Sequence, residues 1–503
     1  MPTWISFTRG YLKGNGQSLA SQTEPEADML RQSLYDALDQ YIYNELPYRL
    51  IYIPKMKIVT RGEARAILWP EIQAIAHEEI KALFQIETIR TQAQSLRQFI
   101  RERVKYAALS HRWFDDAEEP TFQNFSLRET RALAGYKKLA KFCEKARKDY
   151  GCVLAWADTC CIDKTSSSEL DEAIRSMFRW YSNSLVCIAY LEDSSTLADF
   201  EDEVWFTRGW TLQELLAPTI LKFYGKGWLP ISNSPNDKTD ASVMSMVSRV
   251  TKIPRDDLAT YIPGTQRARE KMRWASTRRT TRIEDIAYSL IGIFDVGITV
   301  AYGEGARAFY RLMVEIVQNC YEWDIFLFDG AISAYHFTLP ESPRAYHDLP
   351  SSWTQLNKTQ PRGNKWFTLS KRGLHLRLLL VDIDPIPHTI SGNWVASIAV
   401  NSTPSHPDTF DHALARITVA AVRVTELGPD VYHYAIGIVD FERSAHEGEG
   451  QLLRGRDYFC FLTRRRAGYE SWEAVETVDP TIVRCRQDLH NQQISTVIAT
   501  ERW

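Results

Sequence analysis

No apolar run in this 503-residue chain approaches the roughly 20 residues needed to cross a bilayer, so no membrane span is expected. The opening, MPTWISFTRGYLKGNGQSLASQ, lacks the apolar core of a secretory signal. Charge of one sign is also missing: 60 Lys and Arg stand against 63 Asp and Glu, a net −3. That leaves no global basic field to hold a phosphate backbone, and nucleic acid is not an expected partner. The eight cysteines show no CxxC or other metal spacing, which fits free thiols in a reducing compartment and a cytoplasmic location, with no metal site expected. Internal repeats and low-complexity tracts are absent.

What is present is a core-forming composition, 44% hydrophobic and 12% aromatic, in a chain long enough for two or three domains. Residues 1–103 are expected to form a mostly helical extension. It starts with a polar stretch to about Asp28, followed by a stripe of Leu30, Leu34, Leu38 and Tyr41. YRLIYIPKMKIV is aromatic and β-branched enough for a strand or hairpin, and the run from ILWPE to RQFIRER reads as one or two helices.

From Tyr106 the pattern alternates. YAALS, CVLAWADTCCID and LVCIAYL are short apolar strands, separated by a helix that Gly151 stops and by one opened by a Ser166-x-x-Glu169 capping box. The second helix carries Leu170, Ala173, Ile174, Met177, Phe178 and Tyr181 on one face. Strands spaced by crossover helices predict a parallel sheet covered on both faces, with VLAWAD and LVCIAYL as neighbours in it. A third capping box, Thr281 with Glu284, is expected to open a helix striped by Ile283, Ile286, Ala287, Leu290 and Phe294. From about 335 onward closely spaced strands predict an antiparallel, β-rich domain over 331–503.

In doubly wound sheets ligands bind beyond the carboxyl ends of the strands. Three clusters fall there: Ser110 to Trp113, Asp158 to Asp163, and Arg208 to Glu214, all candidates to line one crevice. Ser110 and His111 are adjacent on a strand and point to opposite faces, which argues against mutual activation. Cys160 and Cys161 suit buried small hydrophobes, and Asp158 and Asp163 lack further metal ligands at any known spacing. Gly303-Glu-Gly305 precedes a helix but lacks a complete phosphate-loop fingerprint, so a tight turn is the simpler reading. In WFTRGWTLQE, Thr211-x-x-Glu214 has capping-box spacing, so Glu214 is open to two readings: a helix cap or an active-site carboxylate.

YAALSHRW, VLAWADTCCIDKTSSSELDEAIRSMFRWYSNSLVCIAYLED, WFTRGWTLQELLAP and RIEDIAYSLIGIFDVGITVAYGEGARAFYRLMVEI closely resemble the HET (heterokaryon incompatibility) domain of filamentous fungi and the segment that follows it, over about 104–318. The family opening has Trp-Gly where this chain has Trp113-Phe114, and the extension before Tyr106 is unusually long. FTLSKRGLHLRLLLVDI resembles, more weakly, a strand region found after many such domains.

The resemblance implies an α/β, TIR-like (flavodoxin-like), mainly parallel sheet within 104–330 and a role in fungal non-self recognition, innate immunity and programmed cell death. Many TIR domains hydrolyse NAD, and RGWTLQEL resembles the stretch carrying their catalytic glutamate, which falls on Glu214. It implies Glu214 as the catalytic residue and Ser110, His111, Arg112, Trp113, Asp158, Arg208 and Trp210 as nucleotide-binding candidates. On that reading a tryptophan stacks on a ring and an arginine pairs with phosphate; the bland reading is packing tryptophans and arginines bridged to carboxylates. NAD enters as a substrate and no resident cofactor is implied. Implied partners are a second copy of the chain and other incompatibility or immune-receptor proteins. A non-enzymatic adaptor that self-associates, and a nucleotide sensor without turnover, are the rival classes.

Overall fold

The computed structural model describes residues 23–74, 89–328 and 330–347, together with the strands and short connections between 367 and 499. The polar start of the chain, 1–22, and the middle of the expected helical run, 75–88, lie outside the described residues. The chain divides into two compact units: residues 1–192 with 218–237, and residues 193–217 with 238–503.

The first unit is built on a six-stranded sheet. Its strands are β1 (Arg49–Tyr52), β2 (Lys57–Thr60), β3 (Tyr106–His111), β4 (Leu154–Trp156), β5 (Val186–Tyr190) and β6 (Leu221–Tyr224), in the order β2-β1-β4-β3-β5-β6. β3, β4, β5 and β6 pair in parallel, while the β1–β2 hairpin joins the β4 edge antiparallel through Ile51 and Tyr52. Counted along the parallel strands the order is 2-1-3-4, one of the common doubly wound arrangements. The expected neighbours VLAWAD and LVCIAYL are therefore in one sheet but not adjacent. β3, buried at all six positions, takes the centre and pairs with both.

Helices α1 (Thr23–Glu45), α2 (Arg61–Gln73) and α3 (Ile89–Arg103) belong to the extension, and α4 (Ala134–Tyr150) and α5 (Ser167–Asn183) to the crossovers. In α1 Leu34, Leu38 and Tyr41 are buried, as the stripe requires. Gly151 ends α4 in the left-handed conformation at φ 68°, where a Cβ is disfavoured. Ser166 caps α5, its side chain accepting from the Glu169 amide. The Glu169 carboxylate does not return to the cap residue; it accepts from the Asp163 amide and pairs with Arg49 on β1. One complete box is unexpected: Thr60 and Glu63 exchange both bonds at the start of α2.

β3 runs to β4 on one side, and the chain then crosses back past β3 to β5. The two crossovers run in opposite directions along the sheet, and the right-handed rule for such connections then assigns α4 and α5 to opposite faces. The outer strand β6 is not left open. The chain after it folds back so that Ile231 donates to Phe223 and the buried Lys222–Asp237 pair, 3.0 Å, ties 232–237 to the strand.

The second unit starts with 193–217, which carries helix α6 (Thr211–Leu216). It continues through helices including Ala241–Thr251, Ala268–Ala275 and Arg307–Asn319 into antiparallel strands. Gly373–Ile383 pairs with Tyr432–Ile438 and Leu489–Ala499 in a nine-stranded sheet, and Ile386–Ile390, Asn393–Ala399 and Leu414–Val419 form a three-stranded one. The β-rich C-terminal region expected from the alternation is present, beginning with Ile332–Ser333.

The expected single helix after Thr281 is broken into Asp285–Tyr288 and Ile291–Phe294, and its first stripe residue, Ile283, is 52% exposed. The Thr281–Glu284 box is not made: Glu284 Oε1 accepts from the amides of Gly303 and Gly305 at 2.8 and 3.0 Å. The Gly-Glu-Gly turn thus does gather amides around an anion, and the anion is the chain's own carboxylate.

Candidate functional site

The eight candidate residues divide between the units. Ser110, His111, Arg112, Trp113 and Asp158 lie on the first, at the carboxyl ends of β3 and β4. Arg208, Trp210 and Glu214 lie on the second.

In the first unit Ser110 and His111 are buried, at 0% and 4% exposure, because β3 is the central strand. His111 Nδ1 contacts the Arg112 carbonyl at 3.1 Å, which fits a neutral ring donating from Nδ1. Its Nε2 has no hydrogen-bond partner and stands 3.7 Å from Asp158 Oδ1. Burial, seconded by the Lys138 ammonium, pushes the imidazole pKa below its usual value, against the pull of Asp158 and Glu119.

Trp113 Nε1 donates to both oxygens of Asp158, at 3.1 and 3.3 Å, and the Lys164 ammonium lies 3.6 Å from the Trp113 ring centroid. Beneath it Lys138 donates to Glu119 at 2.7 Å and to the Arg112 carbonyl at 3.0 Å. Glu119 also takes the Phe114 amide at 2.8 Å, and Lys138 sits over the Phe114 ring. Phe114, where the family opening has glycine, is thus a fixed part of this turn. Sequence reasoning missed Glu119, Lys138 and Lys164, since no local pattern ties Lys138 to Glu119 and Arg112 or Lys164 to Trp113.

The structure therefore brings His111, Trp113 and Asp158 into one internal polar network. Arg112 enters the network through its carbonyl, while its side chain is 37% exposed and 3.9 Å from Glu192 beyond β5. β3 and β5 flank the point where strand order reverses, which is where doubly wound sheets bind ligands.

In the second unit all six residues of α6 are buried, and Glu214 is 6% exposed. The reciprocal capping box is not made. Thr211 is the first helical residue rather than the cap, and its hydroxyl donates to the carbonyls of Trp205 and Arg208 at 2.6 and 2.9 Å. Arg278 supplies the third contact, donating from Nη1 to Thr211 Oγ1 and to the Arg208 carbonyl, both at 2.9 Å. Burial pushes the Arg278 pKa down to about 9, with the Glu214 charge opposing the fall, so the guanidinium is charged at neutral pH. Trp210 hydrogen-bonds to Asp285, which also accepts from Tyr302 at 2.8 Å. Arg208 makes a backbone bridge with Arg279.

The cysteines are packing groups: Cys160 and Cys161 are buried, and burial raises the Cys160 thiol well above its usual pKa. Asp163 closes a local turn, accepting from Thr165 and Gln123. Among the described residues no group of three or more His, Cys, Asp or Glu is placed to hold a metal ion, and no helix is long and apolar enough to cross a membrane.

Residues 106–202 match the family model described as Heterokaryon incompatibility protein (HET). The chain is also 42% identical over 225 residues to the Vegetative incompatibility protein HET-E-1 of Podospora anserina, covering 42% of this chain. The likeness to HET domains is carried by residues 106–202. The chain spans 16% of the length of that relative, and no solved structure matches it. The family match contains Ser110, His111, Arg112, Trp113 and Asp158, and stops before Arg208, Trp210 and Glu214.

Proposed function

We propose that the chain acts in a heterokaryon-incompatibility-type response, in non-self recognition and programmed cell death of a fungal cell. On this reading a TIR-like α/β domain hydrolyses NAD, with Glu214 as the carboxylate that steadies the ribose. Similarity to a protein named for vegetative incompatibility supports the response, and the 2-1-3-4 strand order supports the likeness in fold.

The observation that carries the chemistry is the setting of Glu214: a buried carboxyl group whose charge acts on Arg278, in a helix whose first threonine does not use it as a capping partner. The nicotinamide of NAD is already a cationic leaving group, so no general acid is required. An oxocarbenium-like ribose needs one negative charge close by, and a preorganised carboxylate away from water supplies it. Trp113 and Trp210 are engaged by Asp158 and Asp285 and are assigned no stacking role. The protein is placed in the cytoplasm, with a second copy of itself and other incompatibility or immune-receptor proteins as partners.

Burial of the whole of α6 favours a second reading, a self-associating adaptor in which Glu214 is structural. One preparation of the full chain separates the two. Nicotinamide release from NAD is measured on the assembled protein alongside a melting curve, for wild type and Glu214→Gln. The enzyme reading expects turnover in the wild type and a loss of roughly a hundredfold or more in the variant with little change in melting. Folded, assembled wild type that releases no nicotinamide supports the adaptor. Overexpression in a fungal cell is expected to be toxic in either case.

A further inference from the structure

We propose that Arg278 is the positioning residue of the Glu214 site, holding the start of the helix that carries the glutamate. The inference rests on the reading of Glu214 as a functional carboxylate and adds a residue 64 positions away, outside the family match at 106–202.

Four observations converge. Arg278 Nη1 spans the turn before α6, bonding the Arg208 carbonyl and the Thr211 hydroxyl at 2.9 Å each. The neighbouring backbone is strapped to the same turn: Arg279 donates to Thr207 at 2.7 Å and receives the Gly209 amide at 2.8 Å. The closeness of the two strands of chain requires glycine at 209, because a Cβ there would overlap Thr280. Finally, Arg278 Nη2 is shut off from solvent with no acceptor.

A buried donor left without an acceptor is costly; Arg269 Nη1 and Arg311 Nε are in the same state, and what sets Arg278 apart is that its other edge holds the turn before α6. Here one edge of the guanidinium does the holding while the other is spare, and the Glu214 charge acts on the same group. An unsatisfied buried donor at such a place is open to completion by a ligand. The planar fork matters as well as the charge: Nη1 reaches two oxygens at once, which a lysine ammonium on a flexible stem does with less preorganisation.

The test uses the full chain and four variants: Glu214→Gln, Arg278→Gln, Arg278→Lys and the Glu214→Gln/Arg278→Gln double. Melting temperatures of the single and double variants form a cycle that does not depend on activity. Coupling predicts that the double melts no lower than Arg278→Gln alone, and additive shifts overturn the proposal. With NAD as substrate, Arg278→Gln is expected to lower kcat tenfold or more with KM changed less than threefold, and Arg278→Lys to recover part of kcat. A Lys variant no better than Gln, or a loss confined to KM, also overturns it. Wild type that releases no nicotinamide defeats the NAD reading instead, and the melting cycle then decides the Arg278–Glu214 relation by itself.

Discussion

Gly209 and Thr280 lie so close that no side chain fits between them: a Cβ on Gly209 would run into Thr280 Cγ2. The glycine of the RGW turn is required by this approach of two chain segments and not by a left-handed φ. Gly209→Ala is expected to destabilise the protein by about 1–3 kcal/mol, the usual cost of overpacking. Thr280→Ser removes the clashing methyl and keeps the hydroxyl that donates to the Arg282 carbonyl. The Gly209→Ala/Thr280→Ser double should therefore recover part of the loss in urea melts.

Lys222 and Asp237 form a pair exposed at 4% and 0%. Asp237 also accepts from the Phe223 amide at 2.6 Å, and Lys222 from its side donates to the Ser232 and Ser234 carbonyls. Lys222→Met leaves the carboxylate buried without its cation, which costs about 3–5 kcal/mol. Hydrogen exchange at the Phe223 amide, measured in the variant, should speed up as the 232–237 segment loosens from β6.

His111 fixes one pH dependence. Its folded pKa is lowered by burial from the ordinary 6.5, so the unfolded chain takes up the proton first as the medium is acidified. Stability is then full above 6.5 and falls as pH drops from 6.5 toward the folded pKa, by at most about 1.4 kcal/mol per pH unit. Denaturant melts between pH 5.5 and 7.5 should show a shallower slope for His111→Asn than for wild type.

Glu284 gives a dependence of the same sign in a more acid window. Burial raises its pKa, but its own amide and those of Gly305 and Gly303 outweigh burial and hold it below the ordinary 4.5. The stability it contributes is present above 4.5 and is lost as pH falls through the folded value. Glu284→Gln keeps an acceptor and removes the charge, so a loss of about 1 kcal/mol is expected at pH 7. The gap in melting temperature between variant and wild type should narrow by pH 4.

Sequence by itself determined the local elements. β3, β4 and β5 were legible as short apolar runs, Gly151 as a stop, Ser166 as a cap and the α5 stripe as a buried face, because each depends on neighbours within about four positions. The βα alternation likewise implied parallel strands, and the strand-rich stretch after 331 an antiparallel region.

Tertiary structure decided which partners those elements took. Strand order placed β3 between VLAWAD and LVCIAYL. Two capping-box spacings went unused because better partners arrived from elsewhere in the chain: Arg278 and two carbonyls for Thr211, two amides of the Gly303 turn for Glu284. The same holds for the candidate site. Ser110 and His111 were placed at a strand end by their sequence, but the central position of β3 buried them. Arg112 alone of that group was left outward. A capping motif states which bond is available locally; the folded chain, bringing together groups tens of residues apart, decides which bond is made.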